Sequence, residues 1–315
     1  FTLVEVPSVL INEKFRKKLL ARTTNFLVKD FWEKEAEKAG GDLSLNSMAP
    51  YINSKLTPFL TNNIMRPIIG QRKSSINFDD ILNNKKIFII NLAKGILGET
   101  NSYLIGMIMV GKIASAAFAR AAIPENQRED FYLYADEFQN ITTRTIPTIL
   151  SELRKYRLSF TMAHQFIAQV KDEVRDAIFG NVGTMVSFRV SNPDGEVMKK
   201  YFAPVFNETD LVGLANYNAY VRLMLDGEPA RAFNMATIRP EEVNISYRNE
   251  VIENSNMTYG RIRKEVDKEI MDRFFSYNRP DEEKEEVKEE EDEAEFDEDF
   301  LNDILASMNK GKEEN

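Results

Sequence analysis

Cysteine is absent from the 315 residues, and histidine and tryptophan occur once each. No disulfide framework, thiolate nucleophile or cysteine-bearing zinc site is therefore available, and one histidine rules out a multi-histidine metal centre. A reducing compartment fits this composition. Long apolar runs are missing too. The best candidate, residues 103–119, is too short to span a bilayer and carries Lys112, so it reads as a buried helix; no stretch reads as a signal peptide. Equally absent is G-x-x-x-x-G-K-[ST], the loop that cradles phosphates. Gly95-Ile96-Leu97-Gly98 has the wrong spacing and no Lys-Ser/Thr after it, so the chain as given is expected to bind ATP poorly or not at all. It opens on Phe1 rather than Met, which raises the expectation of a piece of a longer protein.

What is present is unevenly distributed. The formal net charge is −9, with 43% hydrophobic residues, enough to bury a core. Residues 281–300 hold fourteen acidic side chains against two lysines, a net of −12, and the last fifteen residues add −1. The remaining 280 residues thus carry +4. A mildly basic body with an acidic tail leaves contact with nucleic acid open.

Residues 7–38 are rich in Lys, Arg, Glu and Leu, with Phe15 and Leu19, then Phe26, Leu27 and Phe31, at helical spacing, ending at Gly40-Gly41. A second helical region covers 45–64, with Ser44 or Asn46 as cap and Pro58 as a break or kink. From residue 85 the pattern changes. Residues 86–92 form a continuous apolar run, as expected of a strand covered on both faces. After the Gly95/Gly98 turn come a helix at 103–120, a strand at 131–135, a helix opened by Thr145 and Pro147 with Ile149, Leu150 and Leu153 inward, and a strand at 158–163. A helix at 166–179 burying Ile167, Val170, Val174 and Ile178 and stopping at Gly180, then a strand at 184–190, complete a β-α-β-α-β-α-β alternation. The expectation is an α/β fold with a mainly parallel sheet and helices on both faces. Residues 220–225 and 230–235 read as a closing hairpin around Asp226-Gly227-Glu228-Pro229, and a polar helix is expected at 259–275. The tail from Asn278 has too little apolar surface to offset its ordering entropy and is expected to be disordered. Its last apolar island, Phe300, Leu301, Ile304, Leu305 and Met308, has helical spacing, and residual helix is favoured over a docking peptide.

Chemistry concentrates in Phe131-Tyr132-Leu133-Tyr134-Ala135-Asp136-Glu137. An apolar strand here delivers two adjacent carboxylates at its C-terminal end, where ligands sit in open α/β sheets. In a phosphate-hydrolysing site the first carboxylate serves the Mg²⁺ shell and the second the attacking water; the competing reading is an Asp-Glu helix start. The next strand ends in His164-Gln165, which puts Gln165 on the same sheet edge, where a carboxamide suits a sensor of phosphate and water. His164 reads as packing or a local hydrogen bond rather than catalysis. Arg154, in Arg154-Lys155-Tyr156-Arg157 at a helix C-terminus, is either a macrodipole cation or, close to the nucleotide edge of the sheet, an arginine finger toward a neighbouring subunit's phosphate.

The series Leu56-Thr57-Pro58-Phe59-Leu60-Thr61-Asn62, Ile69-Gly70-Gln71, Asn91-Leu92-Ala93-Lys94-Gly95-Ile96-Leu97-Gly98, Tyr134-Ala135-Asp136-Glu137-Phe138-Gln139, Leu153-Arg154-Lys155-Tyr156-Arg157-Leu158, Ala163-His164-Gln165 and Gly180-Asn181-Val182-Gly183-Thr184 resembles the conjugative DNA-transfer ATPases. These are the type IV secretion coupling proteins of the TraG/TraD kind, within the FtsK–HerA class of P-loop motors. The resemblance spans residues 1–275 and departs in the missing phosphate loop, which in the family lies upstream, so the chain resembles the C-terminal part of such a motor. It implies a RecA-like core with an inserted helical domain, ATP and Mg²⁺, a homo-oligomeric, hexameric ring, and pumping of DNA held by its backbone rather than its sequence. By position it implies Asp136 as metal ligand through water and nucleotide contact, Glu137 as catalytic carboxylate, Gln165 as sensor and nucleotide contact, and Arg154 as trans arginine.

The domain expectation is a helical region at 1–80 (the all-α insertion), the C-terminal half of a RecA-like core at 81–240, a helical segment at 241–277 and the acidic tail at 278–315. The functional expectation is the C-terminal portion of an ATP-driven DNA translocase, an ATPase when full-length. Relaxosome or secretion-channel proteins are its expected partners, at the cytoplasmic face of the inner membrane, with membrane contact only through a segment outside this chain. The alternative is a non-enzymatic DNA-processing adaptor on a degenerate motor fold. A metal nuclease is disfavoured because no further carboxylate or histidine falls on a matching strand end. Lys171, Arg175 and Arg72-Lys73 are basic candidates for DNA contact, none of them assigned.

Overall fold

The computed structural model describes residues 1–40, 44–142, 146–241 and 245–278. Gly41, Thr145 and the tail beyond Asn278, with its apolar island, lie outside them.

The N-terminal region is helical but divided. A 3-10 turn at Leu3–Glu5 leads into α1 (Val6–Ile11), α2 (Glu13–Arg22), α3 (Phe26–Asp30) and a π-helical turn at Phe31–Ala36. Asparagines make the breaks: Asn12 Oδ1 accepts the Phe15 amide at 3.0 Å, and Asn25 Oδ1 accepts that of Leu27 at 3.0 Å, so each caps a new helix. Ser44 caps α4 (Leu45–Leu60), its hydroxyl accepting from the Ser47 amide at 3.3 Å. Pro58 lies inside α4, which ends just beyond it, and α5 (Met65–Ile69) follows.

After α6 (Phe78–Asn83) the segment 86–92, expected as a strand, is irregular and pairs with no strand among the described residues, a correction to the sequence expectation. Only one side meets the core: Phe88 packs edge-on against Phe78, while Ile87 and Ile89 are 92% and 80% exposed. The short α7 (Lys94–Leu97) and long α8 (Glu99–Ala119) come next. By length and composition alone Glu99–Ala122 could cross a bilayer. In this fold α8 instead buries Ile105, Val110, Ile113 and Ala117, in line with the buried-helix expectation.

The first sheet is the parallel pair β1 (Phe131–Ala135) and β2 (Leu158–Met162), in register from Phe131 opposite Leu158 to Ala135 opposite Met162. They are joined through α9 (Ile146–Glu152) and a 3-10 turn at Leu153–Tyr156. The helix expected at 166–179 is shorter: a 3-10 turn at Ile167–Gln169 precedes α10 (Asp172–Asn181), which runs one residue past Gly180. Ile167, Val170 and Val174 are buried as expected.

The remaining strands depart from a single parallel sheet. β3 (Met185–Ser187) does not join β1 and β2. After α11 (Asn192–Phe202) and α12 (Glu208–Val212) the chain returns as β4 (Asn218–Arg222), antiparallel to β3 and, on its other side, to β7 (Phe233–Ala236). The hairpin is present and tighter than expected: β5 (Met224–Leu225) and β6 (Glu228–Pro229) are joined by Asp226 and Gly227, both at positive φ (51° and 85°), as a type I′ turn requires. The fold is therefore mixed α/β with small sheets among the described residues.

One core joins α6, α8, β1, α9, β2 and α10 through Leu82, Ile113, Ala117, Phe138, Ile146 and Val174. A second, around Met185, Met198, Phe202 and Leu211, fills the space between β3, α11 and α12. The C-terminal helices are α13 (Arg248–Tyr259) and α14 (Arg263–Asn278), separated at Gly260; α14 takes the place of the polar helix expected at 259–275, and α13 is additional. α14 packs on the N-terminal helices. Arg273 Nε meets Glu5 Oε1 at 2.9 Å and Arg273 Nη2 donates to the Gly70 carbonyl at 2.6 Å, both side chains buried. Ile270 lies so close to Gly70 that a Cβ there would fall 2.5 Å from its Cδ1. Residues 1–277 form one compact unit.

Candidate functional site

Because β1 and β2 run parallel and in register, their C-terminal ends finish level. Two further backbone bonds continue the ladder beyond them: Ala163 N donates to Ala135 O at 2.9 Å and Phe138 N to Ala163 O at 2.9 Å. Between these fixed points the chain turns sharply at Glu137, whose φ of 50° and ψ of 42° lie in the left-handed region. A non-glycine residue there carries about 1–2 kcal/mol of steric strain. Phe138, fully buried and edge-on to Phe160 at 5.6 Å, anchors the following 3-10 turn Phe138–Ile141 and holds the strained residue in place.

The strain aims the Glu137 carboxylate at its neighbours. Gln165 Nε2 donates to Glu137 Oε1 at 2.6 Å, and Gln139 Nε2 donates to Glu137 Oε2 at 2.6 Å. Asp136 Oδ1 accepts the Glu137 amide at 2.9 Å, and its side chain is exposed. Asp136, Glu137 and Gln165 thus converge on one sheet edge, as the sequence pattern implied. His164 is half-buried beside them, its Nδ1 without a partner among the described residues.

Arg154 is not with them. The α9 connection carries the chain back to the start of β2, so a residue preceding that strand lies at the sheet's other edge, about 16 Å away for five residues at 3.3 Å each. Its placement near the carboxylate edge is corrected accordingly. Arg154 is exposed, with no side-chain partner among the described residues.

A cavity of about 460 Å³ opens beside the carboxylates, between β1, α8 and the irregular segment through Asn91 and Leu92. Asp136, Glu137, Lys94 and Tyr103 line it. Lys94 Nζ lies 5.1 Å from the Tyr103 ring centre and 3.4 Å from its hydroxyl, which donates to Glu99. That bond to a carboxylate pushes the Tyr103 pKa up. Gly106 permits the close approach of α8 here, since a Cβ would meet Ile141 Cγ2 at 2.4 Å.

No cluster of three or more His, Cys, Asp or Glu side chains suited to a metal occurs among the described residues. One exposed carboxylate fits a Mg²⁺ that keeps most of its waters and arrives on substrate phosphates, and does not fit a dedicated protein cage. Of the basic candidates, Arg175 is occupied by Asp172 at 2.8 Å and Asp176 at 3.3 Å, whereas Lys171 is exposed just before α10. Gln139 and Tyr103 were missed as site residues.

Residues 130–205 match a family model described as the TraM recognition site of TraD and TraG. Curated protein sequences contain no match. Among solved structures, the fold is similar to the plasmid coupling protein TrwB in complex with the non-hydrolysable GTP analogue GDPNP, at 13% identity and a TM-score of 0.50, over 76% of this chain and 64% of that one. TrwB with the ATP analogue ADPNP gives 12% identity and a TM-score of 0.52, over 78% of this chain and 63% of that one. The unbound form gives 13%, 0.51, 77% and 62%. The chain thus spans less than two thirds of the length of the TrwB structures. In the sequence of its motifs and in its fold alike, the chain resembles the C-terminal part of a conjugative coupling protein.

Proposed function

We propose that the chain is the C-terminal portion of an ATP-driven DNA translocase, a coupling protein that pumps DNA during conjugative transfer. The observation that carries this reading is the convergence of Asp136, Glu137 and Gln165 at the C-terminal edge of a parallel strand pair. Asp136 holds the metal through water, Glu137 orients and deprotonates the attacking water, and Gln165 reports the terminal phosphate. Mg²⁺, when bound with ATP, neutralises charge developing on the phosphates.

The remaining half of the site is a phosphate-cradling loop, which this sequence does not contain. An uncovered sheet face supports its supply by another segment. Parallel strands are normally buried on both faces, yet Tyr132 and Tyr134 on β1 are 60% and 72% exposed, and Ile87 and Ile89 are exposed as well. Residues 1–80 would then be the all-α insertion, 81–240 half of the RecA-like core, 241–277 a helical closure and 278–315 an acidic appendage. Subunits would form a hexameric ring around DNA held by its phosphates, with Arg154 offered at the far sheet edge to a neighbouring subunit. Relaxosome proteins are the partners this reading takes from the TraM-recognition description of residues 130–205, and the cytoplasmic face of the inner membrane is the place of work. The missing phosphate loop favours a second reading, a DNA-processing adaptor without turnover.

ATP hydrolysis by the complete polypeptide, with DNA present, decides between them. Glu137→Gln is expected to abolish turnover and leave nucleotide binding intact. Turnover surviving in that variant refutes the role of Glu137, and a wild-type protein without turnover supports the adaptor.

A further inference from the structure

We infer that Gln139 and Gln165 form a two-sided clamp on the Glu137 carboxylate, with Gln139 the fixed jaw and Gln165 the releasable one, so that nucleotide engagement unlatches a single carboxylate oxygen. The inference rests on the proposed ATPase reading and adds its regulation. Both contacts are amide N–H donors at 2.6 Å, one to each oxygen, so each oxygen of Glu137 is engaged by a donor.

The two jaws differ in how they are held. Gln139 sits in the 3-10 turn anchored by the fully buried Phe138, and its carbonyl accepts from the Thr142 hydroxyl at 3.2 Å. Its Oε1 is buried with no partner among the described residues. A buried carbonyl oxygen lacking a donor is unfavourable, but turning the amide over would aim that oxygen at the Glu137 carboxylate. The carboxylate therefore fixes the orientation of Gln139, and the orphaned oxygen marks a side chain placed for that one contact. Gln165 is exposed, in an irregular segment after β2, and its side chain contacts only Glu137 among the described residues. It can turn away without disturbing the core. When its amide moves to a terminal phosphate, Glu137 Oε1 is released toward that space while Oε2 stays tied to Gln139. Gln139 is thus a positioning residue, and the base becomes available only when its phosphate is present.

Two measurements test this separately from the ATPase reading. In the nucleotide-free chain, the side-chain amide NMR resonances of both Gln139 and Gln165 should shift in Glu137→Ala; a shift of one or neither removes the clamp whatever the enzyme does. In the complete protein, Gln139→Met keeps the side chain's length and removes its donors. It should lower kcat about 10- to 100-fold with KM and melting temperature unchanged, whereas Gln165→Met should also raise KM. Wild-type kcat in Gln139→Met overturns the positioning role while loss of turnover in Glu137→Gln still upholds the ATPase reading. With ADPNP added, the Gln165 amide should move and that of Gln139 stay; movement of both overturns the division into fixed and releasable jaws.

Discussion

Replacing Arg120 by Met should be among the most damaging single changes in the chain, although Arg120 lies far from the candidate site. The guanidinium follows the end of α8 and is 1% exposed. Its Nε donates to Asn83 Oδ1 at 3.0 Å, its Nη1 to the carbonyls of Glu129 and Tyr156 at 2.9 and 2.8 Å, and its Nη2 to the Leu82 carbonyl. One side chain thereby joins the end of α6, the approach to β1 and the turn before β2. Burial pushes its pKa down, aided by nearby Arg128, but an arginine remains charged. Methionine fills similar volume and leaves three backbone carbonyls and one amide oxygen without their donor. Each buried acceptor so stranded costs about 1–3 kcal/mol. Relief of the guanidinium's own desolvation offsets part of that sum, leaving a net loss of about 3–5 kcal/mol. Against a total stability of about 5–15 kcal/mol, this is a large fraction. Urea denaturation followed by circular dichroism should show the midpoint falling by about 1–2 M for a slope of about 2–3 kcal/mol per M. Arg120→Lys should fall nearly as far, because one ammonium cannot match a planar fork with several acceptors. A loss below about 1 kcal/mol in Arg120→Met would refute the view that this network organises the N-terminal edge of the sheet.

Glu5 makes stability sensitive to acid. Burial works to raise its pKa, but hydrogen bonds from Thr2 and the Arg273 guanidinium outweigh it and hold the carboxyl below the usual range. A depressed folded-state pKa contributes stability above the unfolded value and loses it as pH falls through the folded one, so melting temperature should drop below about pH 4. Glu5→Gln should flatten that drop while lowering stability at neutral pH; an unchanged acid profile would assign the sensitivity elsewhere. Ile89→Lys should leave the melting temperature of this chain within a degree or two, since the side chain is mostly exposed. In the complete protein the same change should lower stability and turnover together, and a neutral outcome there would mean that nothing covers this face.

The legible parts were those where one chemical requirement left a local trace. Asp136 and Glu137 stood out because adjacent carboxylates end an apolar strand where ligands sit in open α/β sheets, and Gln165 followed from the parallel alternation of strand and helix. The same topological rule, fully applied, would have put Arg154 at the opposite edge, because whatever precedes a parallel strand lies at its N-terminal end. Ile87 and Ile89 were misread for a different reason. An apolar run reveals that a segment needs covering, not which segment covers it, and among the described residues none covers Ile87 or Ile89. β3 has three residues, too few for composition to distinguish parallel from antiparallel pairing, and its partner β4 lies more than thirty residues on. Gln139 was quoted as part of a motif but its role was not legible, since the 3-10 turn that brings it back to Glu137 depends on Phe138 finding its place in the core.

The pairing of Arg273 with Glu5 sets an order of events during synthesis. The partners are 268 positions apart, so the helices beside Glu5 and Gly70 cannot bury Glu5 or close around Ile270 until the last described helix has been translated. At about 5–20 residues per second, that delay is on the order of 10–50 s. Throughout it, the N-terminal helices must stay near the ribosome without their final partner, open to proteases and to capture by chaperones. The N-terminal end of this chain is accordingly its first to emerge and among its last to be secured.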